Sequence, residues 1–239
     1  MDKKTQEKLL DLVKNNYEEI AGEFDATRQK RLWPELFKLT AGVKDGDSIL
    51  DVGCGNGRLM SAFAGKKISY LGIDNSIKLI DICKKKIEAD NFQFPISNFQ
   101  FKCGDILDLD KITLEKFDFI FCIAVLHHLP GRDLLLRALE QLNNRLKPGG
   151  KMILTVWNLR RQPKFIKLII KFCLLKSIGR NKMDWGDILF DWKSGRVSRR
   201  YYHAFSKREL SRLIRRAGLA MDNCRSDKYN HYLVLSKIN

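Results

Sequence analysis

The stretch Ile49-Leu-Asp-Val-Gly-Cys-Gly-Asn-Gly57 decides the fold of this chain of 239 residues. Apolar residues lead into Asp51 and then into glycines spaced G-x-G-x-G, a pattern typical of a sharp turn from a buried strand into a helix. Glycines at such a turn let a ligand lie directly against the backbone. The spacing differs from the dinucleotide fingerprint G-x-G-x-x-G, because position 58 is Arg58.

The carboxylate of Asp51 indicates which charge the ligand has beside the glycine turn. A negative charge just before Gly53 would repel a pyrophosphate, whereas it suits the cationic amino group of S-adenosylmethionine. We therefore predict an S-adenosylmethionine site formed by Asp51, Gly53, Gly55 and Gly57. A glycine-rich turn that binds no ligand is the simpler alternative.

The ends of the following strands complete the predicted nucleoside site. The strand Leu71-Gly-Ile-Asp74 ends in a carboxylate at the position where doubly wound sheets bind ribose hydroxyls. Alternatively, Asp74 only precedes a helix whose N-cap is Ser76. The other predicted cofactor-binding residues follow Asp74 or end the next strands: Asn75, Asp105, Ile106 and Ile123.

Alternating strands and helices predict the fold class. Apolar strands at 49–52, 71–74, 99–103, 117–123 and 152–156 are separated by stretches with apolar residues on one helical face. This order predicts an α/β, Rossmann-like, doubly wound parallel sheet with helices on both faces. In such a sheet, ligands bind at the carboxyl ends of the strands.

Over residues 40–157 and again in the C-terminal strands, these ordered motifs resemble the class I S-adenosylmethionine-dependent methyltransferases. The resemblance implies a seven-stranded sheet whose last hairpin is reversed, at 219–224 and 232–235. We expect one domain, 1–239, with these parts: an N-terminal helical cap (1–40), a cofactor-binding core (41–157), a basic lid insertion (158–205), and a C-terminal helix with strands (206–239).

The flanking segments give a narrower resemblance. Tyr17–Arg28, Trp33-Pro34, Ala124–His128, Gly186–Trp192 and Arg200–His203 are similar to the eukaryotic-type tRNA methyltransferases that esterify 5-carboxymethyluridine at the wobble position. The resemblance implies a tRNA substrate with a carboxylate acceptor.

The same resemblance implies a small zinc-ribbon activator subunit that pairs along the exposed edge strand of the sheet. The aromatic residues that would give this edge an apolar character are Phe92, Phe94, Phe99 and Phe101. An ordinary buried strand explains Phe99 and Phe101 equally well.

The charge distribution supports an anionic partner. The formal net charge is +16, yet residues 1–155 contain 24 basic and 22 acidic residues, whereas residues 156–239 contain 20 and 6. The excess lies outside the cofactor core, as expected for a protein that binds a phosphate backbone. A generally basic, solubilising surface is the alternative.

Two helical segments contain much of this excess. Lysines recur among apolar residues between Lys164 and Leu175, which predicts an amphipathic lid helix; binding to a membrane surface is the alternative, and we expect no stable membrane association. In the helix after Ser206, the arginine stripe suits phosphates or forms an ordinary solvated face. The stripe consists of Arg208, Arg212 and Arg215.

The acceptor chemistry sets the remaining expectations. A carboxylate is already anionic at neutral pH, so its methylation requires positioned donors rather than a general base. We predict Arg28 and His127 as catalytic residues. The predicted substrate-binding residues, besides the arginine stripe, are His128, Arg199, Arg200, Tyr202 and His203.

Other functions stay open at this stage. The alternatives are a wobble-uridine methyltransferase that acts on 5-carboxymethoxyuridine, a methyltransferase for a small or lipid-like acid, and a non-catalytic RNA-binding subunit. The six cysteines include no C-x-x-C pair, which predicts reduced thiols and no metal site. The amphipathic N-terminus shows no organelle signal, so we expect a cytoplasmic location.

Overall fold

A computed structural model describes residues 1–28, 32–89, 98–192 and 198–238. Its strands are β1 (Ser48–Val52), β2 (Ser69–Asp74), β3 (Phe99–Cys103), β4 (Phe117–Ile123), β5 (Leu146–Trp157), β6 (Asp187–Trp192), β7 (Ser198–His203), β8 (Leu219–Ser226) and β9 (Asn230–Lys237). Its helices are α1 (Lys3–Thr27), α2 (Pro34–Leu39), α3 (Ile77–Glu88), α4 (Arg132–Arg145), α5 (Pro163–Ser177) and α6 (Lys207–Arg216).

Seven strands form one sheet in the order β3-β2-β1-β4-β5-β9-β8. The first five in the chain pair in parallel, whereas β9 is antiparallel to both β5 and β8. The predicted doubly wound sheet with a reversed last hairpin is therefore confirmed. Parallel pairing brings the carboxyl ends of β1, β2 and β4 to one edge, because Asp51 lies opposite both Gly72 and Phe121.

Alternating side chains of the central strands point to two separate hydrophobic layers. Leu50 and Val52 of β1 face the layer that contains α4 and α6. Ile49 faces the layer that contains α2 and α3. The strands are thus buried on both faces, which explains their nearly continuous apolar composition.

The N-terminal helix α1 lies over the carboxyl ends of the strands. Its first turn is capped by Asp2, which accepts a hydrogen bond from the backbone of Thr5 at 2.8 Å. Along its length, Gln6 donates to Asp133 at 2.6 Å, and Glu18 accepts from the backbone of Ile77 at 2.6 Å. These contacts fix α1 against the starts of α4 and α3.

The basic segment between β5 and α6 folds as α5 and the β6–β7 hairpin. Phe165 and Ile169 of α5 are buried with Ile188 and Phe190 of the hairpin and with Tyr202. No helix in the described ranges is long and apolar enough to span a membrane.

The edge strand β3 gives no exposed apolar stripe in its described part. Phe99 and Phe101 are 8% and 7% exposed and pack against Tyr70, so the core explains both. Phe92 and Phe94 lie outside the described residues.

A buried charged cluster joins the hairpin to α6. His203 contacts Asp187 through Nδ1 at 2.6 Å and Glu209 through Nε2 at 3.0 Å. Burial disfavours the charged imidazole, but these two carboxylates outweigh it and raise the pKa of His203 to about 9. Glu209 also forms a capping box with Ser206, so the cluster fixes the first turn of α6.

The His203 cluster predicts a pH-dependent contribution to stability. Because the folded pKa lies above the unfolded value near 6.5, the contribution is complete below pH 6.5 and is lost as pH rises through about 9. His203→Gln should lower the melting temperature at pH 6 by roughly 6–12 °C, and by much less at pH 9.5. Thermal unfolding followed by circular dichroism measures both; an equal decrease at the two pH values would contradict the charged pairing.

Candidate functional site

A cavity of about 770 Å³ lies between α1 and the carboxyl ends of β1, β2, β4 and β5. The glycine turn and the ends of β1 and β2 form one end of it, which we call the donor end. Residues after β4 and at the end of β5 form the acceptor end. Among the predicted site residues, these line the cavity: Arg28, Asp51, Gly53, Gly55, Asp74, Asn75, Asp105, Ile106, Ile123, His127 and His128.

Asp74 holds the glycine turn in place at the donor end. Its carboxylate accepts hydrogen bonds from the backbone N–H of Gly55 at 2.8 Å and of Ser76 at 3.0 Å. Ser76 is also the N-cap of α3, so the alternative noted from the sequence is part of the structure. Because a carboxylate can accept several hydrogen bonds, Asp74 can also bind a ligand hydroxyl.

The first two glycines of the turn have left-handed backbone angles, and side chains of the cavity wall pack directly against them. Gly53 and Gly55 have φ angles of +71° and +57°. A Cβ on Gly53 would lie 2.2 Å from the side chain of Val125, and one on Gly55 would lie 3.2 Å from Phe24. Gly57 does not line the cavity; it turns the chain below it, where a Cβ would meet Met60 and Cys83.

Asp51 is a buried carboxylate in the cavity wall. It is 2% exposed and accepts a hydrogen bond from the hydroxyl of Tyr70. Burial raises its pKa to about 7, although the hydrogen bond from Tyr70 opposes this rise. A bound ammonium group would stabilise the ionised form, so the site suits the amino group of S-adenosylmethionine.

The turn after β3 forms the remaining wall of the donor end. The side chain of Asp105 accepts from the backbone of Leu107 at 2.9 Å, and Ile106 is buried beside it. The buried carboxylates, the glycine turn and this apolar wall together fit an adenosine that has a cationic side chain.

The acceptor end is lined mainly by aromatic rings and two neutral histidines. His127 is fully buried and packs against His128, Trp157 and Tyr202. Burial lowers the pKa of His127 well below its usual range and that of His128 to about 3. Tyr17 of α1 closes this end, since its hydroxyl lies 2.9 Å from Nε2 of His128.

His127 has a polar atom without a partner. Its Nδ1 lies 3.5 Å from the backbone N–H of Trp157, the geometry of an acceptor, so the proton of the neutral ring is assigned to Nε2. That Nε2 is buried and has no hydrogen-bond partner in the described part of the chain. A buried unpaired donor in a cavity wall suits a ligand oxygen.

Two arginines also line the cavity: Arg58 directly follows the glycine turn, and Arg28 lies near Tyr17 and Tyr202. The guanidinium of Arg28 is 3.8 Å from the ring centroid of Phe24, and that of Arg58 is 5.6 Å from Trp33. Burial lowers the pKa of Arg28. These stacked guanidinium groups could bind an anionic group, such as a carboxylate, of the methyl donor or of the acceptor.

The remaining predicted substrate residues lie outside the cavity wall: Arg199, Arg200, Tyr202, His203, Arg208, Arg212 and Arg215. Tyr202 lies behind the two histidines, and Arg200 lies 3.5 Å from its hydroxyl. Both ring nitrogens of His203 bind carboxylates. Arg199 and the arginine stripe of α6 are exposed to solvent.

The cover of the cavity differs from the predicted lid. None of the described residues in 158–205 lines it; Leu10, Val13 and Tyr17 of α1 do. The sequence analysis also missed Trp157 and Asn230, which pair across β5 and β9 at the acceptor end. Trp157 and Asn230 are adjacent because of the register between β5 and β9. The sequence around each residue does not show that register.

Comparison with known proteins gives the family. The methyltransferase domain family matches residues 24–223. A tRNA (carboxymethyluridine(34)-5-O)-methyltransferase of Xenopus tropicalis is 26% identical over 93% of this chain, which spans 40% of that protein's length. The enzyme of the same name from Schizosaccharomyces pombe is 26% identical, and the match covers 92% of this chain and 94% of the yeast protein.

A solved structure has the same fold. An S-adenosylmethionine-dependent methyltransferase from Methanosarcina mazei superposes with a TM-score of 0.71 at 20% identity. The superposition covers 87% of this chain and 99% of the archaeal one.

Asp51 predicts a pH-dependent affinity for the methyl donor. Between pH 6 and 7.5, the affinity for S-adenosylmethionine should rise roughly eightfold as the Asp51 carboxylate, with its pKa of about 7, ionises. Asp51→Asn should bind more weakly and with little pH dependence. Isothermal titration calorimetry measures both proteins; the same pH dependence in Asp51→Asn would rule out Asp51 as the ammonium ligand.

Proposed function

This chain belongs to the methyltransferase domain family, and we propose that it transfers a methyl group from S-adenosylmethionine to the carboxylate of 5-carboxymethyluridine at the tRNA wobble position. The names of the Xenopus and yeast relatives support this acceptor. The observation that carries the proposal is the unpaired Nε2–H of His127 at the acceptor end.

The donor end would hold S-adenosylmethionine through residues of β1, β2 and the turn after β3. Asp51 would accept from the amino group, Asp74 from the ribose hydroxyls and Asp105 from the adenine amino group. Gly53 and Gly55 would allow the turn that brings these groups together, since both have left-handed φ angles and line the cavity. When bound, S-adenosylmethionine would supply an activated methyl group: a carboxylate oxygen of the acceptor would bond to the methyl carbon as the carbon–sulfur bond breaks, and a neutral thioether would leave.

The acceptor end would orient the carboxylate without taking a proton from it. The Nε2–H of His127 would donate to one carboxylate oxygen, and Arg28 would balance its charge. Burial holds His127 and His128 neutral, so neither changes charge near pH 7. Tyr17 and Trp157 would exclude water, which competes as a nucleophile.

The RNA would extend over the basic C-terminal region. Arg208, Arg212 and Arg215 project from α6 into solvent while the opposite side of that helix, with Leu210 and Leu213, is buried. This orientation presents the arginine stripe to a phosphate backbone. An activator subunit along β3, the edge strand of the sheet, is a further proposal that rests on the family resemblance.

The apolar part of the acceptor end favours one other acceptor. Leu10, Val13 and Leu129 line the cavity, and they suit the hydrocarbon part of a small or lipid-like acid. Both acceptors yield an ester, so the identity of the methylated molecule decides between them.

The reaction class is tested by the stability of the product. Incubation with methyl-labelled S-adenosylmethionine and tRNA that contains 5-carboxymethyluridine should place label on the tRNA. Mild alkali should then release this label as methanol, because esters hydrolyse and methyl groups on carbon or nitrogen do not. Label that stays on the nucleoside would exclude carboxyl methylation, and tRNA without label would favour the small-acid acceptor.

The substrate class is tested by charge reversal. Changing Arg208, Arg212 and Arg215 to Glu should weaken tRNA binding. The slope of log binding constant against log salt concentration should become less steep by about 0.7–0.9 for each phosphate that the variant no longer binds. The matched control reverses three exposed lysines of α1: Lys3, Lys4 and Lys8. Filter binding should show a larger decrease in affinity for the α6 variant, with unchanged affinity for S-adenosylmethionine in both. Equal decreases would indicate an effect of net charge alone.

A further inference from the structure

The turn between β8 and β9 places an exposed aromatic residue next to a residue of the cavity wall. Asn230, the first residue of β9, lines the acceptor end and pairs with Trp157. The residue before it, Tyr229, is 60% exposed. Tyr229 is therefore the neighbour in sequence of a residue in the cavity wall.

The backbone of this turn is firmly held. The carboxylate of Asp227 accepts from the backbone N–H of Tyr229 at 2.7 Å and of Asn230 at 2.6 Å, and from the hydroxyl of Tyr232 at 2.9 Å. Asn158 anchors the turn to the end of β5, since its backbone N–H donates to the carbonyl of Tyr229 at 2.7 Å and its side chain donates to the carbonyl of Asp227 at 2.7 Å.

One cation lies near the exposed ring, and two more lie near His231 in the following strand. The ammonium of Lys228 lies 5.7 Å from the centroid of Tyr229. On the other side of the turn, His231 is buried, and its pKa is lowered by burial and by the nearby charges of Lys207 and Arg161. All three cationic side chains are exposed.

We propose that Tyr229 is a stacking platform for a base adjacent to the wobble nucleotide, and that Lys228, Lys207 and Arg161 contact the flanking phosphates. The proposal rests on the proposed function and identifies how the same site recognises single-stranded RNA. An aromatic ring on a fixed backbone loses little conformational entropy when a base stacks on it. A single exposed ring among cations suits a base and its phosphates better than the apolar core of a protein interface.

The test compares variants on an anticodon stem-loop that contains 5-carboxymethyluridine. Tyr229→Ala should lower kcat/KM roughly fivefold or more, since it removes one stacked base. Tyr229→Phe keeps the ring and should retain most of the activity. Phe37→Ala is the matched control, because Phe37 is a similarly exposed ring, 57%, that lies outside the cavity wall.

Affinity for S-adenosylhomocysteine, measured by calorimetry, separates stacking from damage to the cavity. It should be the same in wild type and Tyr229→Ala. If the wild type is active and Tyr229→Ala has an equal kcat/KM, the stacking proposal is overturned. A decrease in the S-adenosylhomocysteine affinity of Tyr229→Ala that parallels its loss of activity would also overturn it. An equal decrease in the activity of Phe37→Ala would do the same. A wild type that methylates no stem-loop and no tRNA would instead overturn the proposed function.

Discussion

The buried carboxylate of Asp74 is the interaction on which the candidate site depends. It accepts the backbone N–H groups of Gly55 and Ser76, which follow β1 and β2. A single side chain thereby fixes the glycine turn against the start of α3, at the edge where parallel strands end. Burial raises the pKa of Asp74, and these hydrogen bonds offset part of the cost of burying the carboxylate.

The two ends of the cavity differ in charge, and this difference matches the proposed chemistry. Buried carboxylates lie at the donor end, where a cationic ligand is expected, whereas neutral histidines and aromatic rings lie at the acceptor end. Separate regions of the chain supply the cover and the proposed RNA contacts. Helix α1 closes the cavity, while α6 and the turn before Asn230 present cations outside it.

Local sequence patterns predicted the features that depend on residues close together in the chain. The glycine spacing and the strand ends at Asp51 and Asp74 gave the sheet and the donor end, and the family match agrees with the predicted enzyme class and methyl donor. The described part of residues 158–205 does not line the cavity; amphipathicity shows that α5 is partly buried but not that it packs against the β6–β7 hairpin. The roles of Trp157 and Asn230 depend on pairing between distant strands.

A crystal structure with S-adenosylhomocysteine and a 5-carboxymethyluridine nucleotide tests the central claim most directly. We predict that the thioether ligand lies at the donor end with its ribose on Asp74. A carboxylate oxygen of the nucleotide should lie about 2.7–3.2 Å from Nε2 of His127. A nucleotide bound outside the cavity, or one whose carboxylate faces away from His127, would contradict the account.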